Sequence, residues 1–293
     1  MVRENNDPGA KQCSIDYSRY AANKAILTDE DIINLNTYDF MAHLGKRVIN
    51  PGGLRGRDQL LGRLQPLPGT HLLEVGCGSG HAACHIARKY QCQVTAIDLS
   101  PRMIEAARQT VFEQGIENQV HCQVADIIDL PFDSGFFDYV MCQAVLMFVD
   151  QQQALSEVKR VLKSSGTFAG LEFCWKQQPP NDIRSATYQI CGCTTLEFHS
   201  RDQWVAQLRG ADLDDIRSSE HPFLLLSIPG FLKDEGLVNS IRISNKIMRR
   251  RANILRMRDI WSHFSTNINY FSYTVLSSRK RHKLSIWHRL KSA

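Results

Sequence analysis

The sequence predicts an α/β fold, a doubly wound parallel sheet with helices on both faces. Three observations point there. Strand-like and helix-like runs alternate from residue 70 onward, which is the signature of parallel strands joined by crossover helices. A glycine-rich turn, Gly76-Cys77-Gly78-Ser79-Gly80, joins the first strand to the first helix. Three acids, Glu74, Asp98 and Asp126, then fall at three successive strand ends, the edge where such sheets bind ligands.

His71 to Val75 is a short, mostly apolar strand, and the helix after it carries Ala82, Ala83, Ile86, Ala87 and Tyr90 on one face. Gln93 to Asp98 is the second strand. Ser100 is placed to cap the next helix with Pro101 at its first position, and Gly115 stops it. Strand-like runs recur at Gln119 to Val124, Phe137 to Val145 and Thr167 to Phe173. Asp150 caps a helix running through Leu162, whose inner face is Ala154, Leu155, Val158 and Leu162. Beyond Trp175 the pattern is looser: a helix over Ser200 to Leu208, and strands over Asp214 to Ser219 and Ile268 to Ser278. Between them one long helical stretch places Ile243, Ile247, Ile254, Met257, Trp261 and Phe264 at helical spacing. Residues 14 to 66 also read as helical, broken at Asn50-Pro51-Gly52-Gly53.

Composition narrows the function. Of 293 residues 43% are apolar and 22% charged, which excludes disorder, and only 18 Gly and 10 Pro exclude collagen-like chains. No apolar run approaches the roughly 20 residues of a membrane span. The first residues, Met1 to Asp7, are polar, without the apolar core of a signal peptide. Nine cysteines without framework spacing read as reduced thiols of a cytoplasmic protein. The net charge of +5 is unevenly spread: from Ser240 onward 13 Lys/Arg face one acid, Asp259. Such a basic segment is either a solvated face or a contact for something anionic.

The glycine loop is the most informative stretch. Alternate glycines let the chain turn tightly and approach a ligand closely. A dinucleotide loop would continue with a third spaced glycine, where this chain has His81. Glu74, just before the loop, sits poorly beside a pyrophosphate and suits a ligand with positive charge. A carboxylate at Asp98 can accept both hydroxyls of a ribose. Asp126 followed by Ile127 suits an adenine amine with its ring against aliphatic atoms. A single strand-end Asp is as often a turn former; three in series with the loop are not explained that way.

On these residues the chain resembles the class I S-adenosylmethionine-dependent methyltransferases of the broad small-molecule type. The resemblance spans residues 70 to 175. It rests on Leu73-Glu74-Val75-Gly76-Cys77-Gly78-Ser79-Gly80, on Ala96-Ile97-Asp98-Leu99-Ser100-Pro101-Arg102-Met103-Ile104, and on Asp126 through Leu130-Pro131-Phe132. Phe137-Asp138-Tyr139-Val140 and Glu157-Val158-Lys159-Arg160-Val161-Leu162-Lys163 complete it, and Ser164-Ser165-Gly166 departs from the family's usual Pro-Gly-Gly. The resemblance implies a Rossmann-like, seven-stranded, mostly parallel sheet whose last strand, over Ile268 to Ser278, runs backwards between its neighbours. It implies S-adenosylmethionine as cofactor. Gly76, Gly78 and Gly80 would bracket its methionine part with Glu74 in support, Asp98 would hold the ribose, Leu99 and Met103 would pack on the adenine, Asp126 and Ile127 would read its edge, and Gln143 would close the methionine end. The expected organisation is an N-terminal helical cap over 1–66, a cofactor-binding core over 67–176, a C-terminal part of the sheet over 177–278 with a helical insertion at about 229–265, and a basic tail over 279–293.

The acceptor is read less sharply. Methyl transfer needs alignment, desolvation and, for some nucleophiles, a base. Candidates for catalysis are Tyr17, Tyr20, Glu172 and His199; candidates for holding the acceptor are Tyr20, Trp175 and Arg250, the last a cation breaking an apolar helical stripe. Nucleic-acid bases fit poorly, because Met141-Cys142-Gln143-Ala144 carries neither the Asn/Asp-Pro-Pro-aromatic run nor the Pro-Cys nucleophile used on them. The expected protein is a monomer or homodimer acting on a small molecule. Three alternatives stand beside it: a cofactor-binding partner without turnover, a thiophilic (arsenite-like) substrate held by Cys174, Cys191 and Cys193, and an RNA methyltransferase aided by the basic tail.

Overall fold

The computed structural model describes residues 27–193, 196–223 and 227–280. The chain begins with two short helices, α1 (Asp29–Asn34) and α2 (Thr37–Leu44), then α3 (Gly53–Leu64). The alternating core follows: β1 (His71–Val75), α4 (His81–Tyr90), β2 (Gln93–Asp98), α5 (Pro101–Gln114), β3 (Val120–Val124), β4 (Phe137–Gln143), α6 (Gln151–Val161) and β5 (Leu162–Trp175). Then come α7 (Asn181–Cys191), α8 (Arg201–Gly210), β6 (Leu213–Pro222), α9 (Ile228–Met248), α10 (Arg251–Thr266) and β7 (Phe271–Lys280).

The seven strands form one sheet in the order β3-β2-β1-β4-β5-β7-β6. The first five pair in parallel, and β7 lies antiparallel between β5 and β6. This is the expected doubly wound, mostly parallel sheet. β1 sits centrally and is four-fifths buried, as a strand covered on both faces must be. One face packs on α3, α4 and α5 through Leu60, Leu61, Ile86, Ala87, Ala107 and Val111. The other packs on α2, α6, α8 and α10 through Phe40, Leu155, Val158, Trp204 and Ile260. Each of the larger side chains among these contributes roughly 1.5–3 kcal/mol, an alanine methyl less.

Local signals explain the helix boundaries. The Ser100 hydroxyl accepts from Met103 N at the head of α5, with Pro101 at its first position, and Gly115 at φ 63° ends it. Asp150 accepts from Gln153 N at the head of α6. Elsewhere the structure departs from the pattern. The helical stretch expected over 14–66 is three separate helices within the described residues. β7 starts three residues later than expected, because Ile268–Tyr270 forms a 3-10 turn. The single long helix expected through 264 is broken twice, by a kink at Gly236 (φ 70°, ψ 164°) within α9 and by Arg250, which is extended (φ −141°, ψ 124°) between α9 and α10. The second break resets the helical register and leaves Trp261 and Ile254 of the supposed inner stripe exposed.

Among the described residues seven cysteines (77, 84, 92, 122, 142, 174 and 191) are buried free thiols. Among the described residues no helix is long and apolar enough to cross a membrane.

Candidate active site

A cavity of about 1000 Å3 opens at the carboxyl ends of β1, β2 and β4. Its floor is the loop between β1 and α4. The three glycines of that loop have three different duties. Gly76 has φ 70°, and a Cβ there would lie 2.5 Å from Val145 Cγ2. Gly78 has φ 52° and open space where a Cβ would point, so its bare backbone faces the cavity. Gly80, at φ 77°, is needed for packing: a Cβ would stand 2.9 Å from Ala107 Cβ on α5. Gly80 does not line the cavity itself; it lets helices α4 and α5 meet closely at the cavity's edge.

The other nine residues expected around the cofactor do line it: Glu74, Gly76, Gly78, Asp98, Leu99, Met103, Asp126, Ile127 and Gln143. Asp98 ties two walls together, its carboxylate accepting from Gly78 N at 3.0 Å and from Ser100 N at 2.9 Å. Each oxygen keeps a second lone pair for a ligand hydroxyl. Asp126 does serve its own turn, accepting from Ile128 N at 3.2 Å, while still facing the cavity.

Glu74 is 2% exposed, and burial pushes its carboxyl up to about 8, against the pull of nearby Arg57. Its Oε2 has no partner in the protein. Gln143 donates to the other oxygen, Oε1, at 3.5 Å and accepts from Asn50 Nδ2 at 3.0 Å. A buried carboxylate oxygen without a donor costs free energy that a ligand cation or N–H removes. S-adenosylmethionine presents such groups in its ammonium and sulfonium, so the Asn50–Gln143–Glu74 chain fits that cofactor.

Sequence reasoning did not single out Asn50, Tyr38 or Asp234 as site residues and noted His81 only as a departure from a dinucleotide loop, yet all four line the cavity. The first appeared only as part of a helix break, and nothing local couples it to Gln143. Tyr38 stands edge-to-face with Phe148 at 5.1 Å between ring centroids, and its buried hydroxyl has no partner. Burial holds that phenol well above its ordinary pKa, so it stays a donor. The roof is the segment after α2, stitched to α9. Glu235 accepts from Lys46 Nζ at 3.1 Å, Arg47 N at 3.0 Å and Val48 N at 3.2 Å. Asp234 accepts from Leu54 N at 2.9 Å at the head of α3.

The acceptor candidates fare differently. Tyr17 and Tyr20 lie outside the described residues. Glu172 is fully buried behind the cavity wall, where its Oε1 accepts from Val145 N and Leu146 N, both at 3.2 Å. Burial raises it to about 7 against those two amides. Trp175 packs among Phe198, Phe271 and Tyr188. His199 faces Trp204 and lies 2.6 Å from Gln151 Oε1. None of the three lines the cavity, because the last turns of β5 are covered by α7, α8 and the segment before α8. Arg250 pairs with Asp29 on α1, which satisfies the charge where the broken helix leaves it. It too is absent from the cavity wall, and so are Cys174, Cys191 and Cys193. Among the described residues no cluster of three or more His, Cys, Asp or Glu is placed to hold a metal.

Residues 73–170 match the family model for the methyltransferase domain. The chain is 30% identical over 171 residues to the uncharacterized methyltransferase YodH of Bacillus subtilis, covering 58% of this chain and 71% of that one. It is 34% identical over 201 residues to methyltransferase GfsG of Streptomyces halstedii, covering 64% and 72%. Its fold is similar to the crystal structure of MccD protein, with TM-score 0.64 at 19% identity over 79% of this chain and 99% of that one. With the glycine loop, the strand-end acids and the orphaned Glu74 oxygen in one cavity, these likenesses make the chain a member of the class I S-adenosylmethionine-dependent methyltransferase family.

Proposed function

We propose that this methyltransferase acts on a small-molecule acceptor that enters beside Tyr38 and Phe148. The observation that carries the reading is the roof. Asp234 and Glu235 of α9 hold the 45–54 segment over the cavity through five hydrogen bonds to Lys46, Arg47, Val48 and Leu54. A deep cavity partly covered in this way suits a metabolite rather than a polymer.

In this reading Glu74 and Gln143 hold the methionine end of the cofactor and Asp98 its ribose. Leu99 and Met103 pack on the adenine, whose edge Asp126 and Ile127 read. The bound cofactor supplies an electrophilic methyl group on a sulfonium sulfur. The protein contributes alignment and the exclusion of water by its roof. The Tyr38 hydroxyl is free to donate to an acceptor heteroatom and fix its lone pair toward the methyl group. The protein would work as a monomer or homodimer, with nucleic acid not its acceptor. A cytoplasmic setting is supported by the seven buried free thiols among the described residues.

Incubation with methyl-labelled S-adenosylmethionine and a fractionated metabolite extract should label a low-molecular-mass product and release S-adenosylhomocysteine. Tight cofactor binding by calorimetry without any labelled product would favour a non-catalytic partner instead. Label appearing in RNA, lost on raising salt, would favour the nucleic-acid alternative.

A further inference from the structure

Helix α9 is kinked at Gly236 (φ 70°, ψ 164°), and along both of its parts bulky apolar residues face outward. The side it turns to the body carries Glu235, Asn239, Ser240 and Ile243, each at most 5% exposed. Glu235 is matched by Lys46 and backbone amides, and Asn239 donates to Glu235 Oε2 and Gly45 O. The side it turns outward is apolar: Ile228 is 74% exposed, Leu232 46%, Leu237 69%, Val238 73%, Ile241 52% and Met248 72%. Exposed bulky apolar residues concentrated along one helix mark a contact surface.

The charges beside this face have one sign. Lys233, Arg242, Lys246 and Arg249 are exposed along α9, and Arg251 opens α10. The only acids of α9, Asp234 and Glu235, are engaged by Leu54 and Lys46 beneath the helix. The next acid along the chain is Asp259. Among the described residues, none of these five cations forms an ion pair with an acid.

We propose that α9 seats the protein on an anionic phospholipid bilayer, lying in the interface with its apolar side chains among the acyl chains and its cations at the headgroups. A helix with exposed bulky apolar residues flanked by Lys and Arg, and too polar to span, is built for that position. A second copy of the chain fits less well. A twofold contact sets each patch against itself, which would face these cations with cations and no carboxylate. Since Asp234 of the same helix lines the cavity, the docked face lies on the back of the active-site roof.

The test is co-sedimentation of the full chain with phosphatidylcholine vesicles, with and without phosphatidylserine. Binding is expected to the mixed vesicles only, and to fall with added salt. The surface variant Val238→Glu/Ile241→Glu should weaken vesicle partitioning at least tenfold while melting temperature and cofactor affinity stay at wild-type values. Arg242→Glu/Arg249→Glu should weaken it similarly. Absence of binding to the mixed vesicles overturns the proposal. So does binding that the Val238/Ile241 variant retains and removal of residues 281–293 abolishes, which would assign it to the basic tail. A concentration-dependent dimer dissolved by Val238→Glu/Ile241→Glu, without vesicle binding, would assign the face to a second copy and equally overturn it.

Discussion

Lys46 and Glu235 lie 189 positions apart in sequence and meet as a buried ion pair, Nζ to Oε1 at 3.1 Å, with side chains 3% and 0% exposed. The pair is the keystone of the active-site roof, because Glu235 also accepts the Arg47 and Val48 amides. Removing one partner strands the other charge without water. Glu235→Ala is expected to cost about 3–5 kcal/mol, seen as a melting temperature lower by roughly 10 °C. Glu235→Gln still accepts the two amides and should lose less. Cofactor affinity should fall with Glu235→Ala at temperatures where the variant remains folded, since the freed segment lines the cavity; unchanged affinity would show that the roof is dispensable for binding.

Glu74 should couple cofactor binding to protons. Its carboxyl titrates at about 8 in the ligand-free protein because it is buried with one oxygen unpartnered. A folded pKa above the unfolded value of 4.5 means a proton held more tightly by the folded state. The stability this brings is present below 4.5 and lost as pH rises through about 8. A cationic ligand reverses the balance by favouring the carboxylate. Binding at pH 7 should therefore release close to one proton, read as a calorimetric enthalpy that varies with the buffer's ionisation enthalpy. Glu74→Gln should abolish that buffer dependence and weaken binding at least tenfold. A buffer dependence that survives in Glu74→Gln would place the proton elsewhere.

The parts legible in the sequence are those set by local chemistry. Ser100 and Asp150 cap the helices they precede because a side-chain oxygen three residues ahead of an amide needs no distant partner. The strand-end acids reach the cavity because parallel strands deliver their carboxyl ends to one edge. What was not legible depends on contacts far along the chain. Asn50 acquires its role only when α3 brings it against Gln143, 93 residues later. Arg250 reads as a stripe-breaking cation only while the helix is taken as continuous; once the backbone breaks there, it meets Asp29 instead. Gly80 matched the motif for a reason the motif does not state, the Cβ of Ala107.

The three loop glycines should separate folding from binding. Gly76→Ala combines a positive φ with a 2.5 Å approach to Val145 Cγ2 and should destabilise by roughly 2–5 kcal/mol from backbone strain and overpacking together. Gly80→Ala meets Ala107 and should behave alike. Gly78→Ala has the strained φ, roughly 1–2 kcal/mol, but no steric neighbour. Its methyl projects into space the ligand needs. Thermal melts and cofactor titration on the three variants should therefore show Gly78→Ala melting highest and binding worst. Equal affinity losses across the three would mean that the loop acts as one unit.

Glu172 should prove a positioning residue. Its carboxylate accepts the Val145 and Leu146 amides and so pins the turn at Ala144, which is itself at φ 58° and donates to Leu171 O. That turn presents Gln143, Ala144 and Val145 to the cavity. Glu172→Ala leaves two amides without an acceptor, a cost of about 2–4 kcal/mol, and should raise the KM for cofactor as the turn loosens. Glu172→Gln keeps an acceptor oxygen and should hold KM near the wild-type value. With a folded pKa raised to about 7, the wild-type carboxyl loses its stabilising share as pH rises through that value. Glu172→Gln, which does not titrate, should therefore gain stability relative to wild type as pH rises from about 4.5 to about 7, with no further gain above that. The kinetic readout decides between roles. A base acting on the acceptor would give kcat/KM a limb near the pKa of Glu172 that the glutamine variant lacks, with kcat falling by about a hundredfold or more. A carboxylate that only holds the turn leaves the shape of the pH profile unchanged in Glu172→Gln, and that is the expected result.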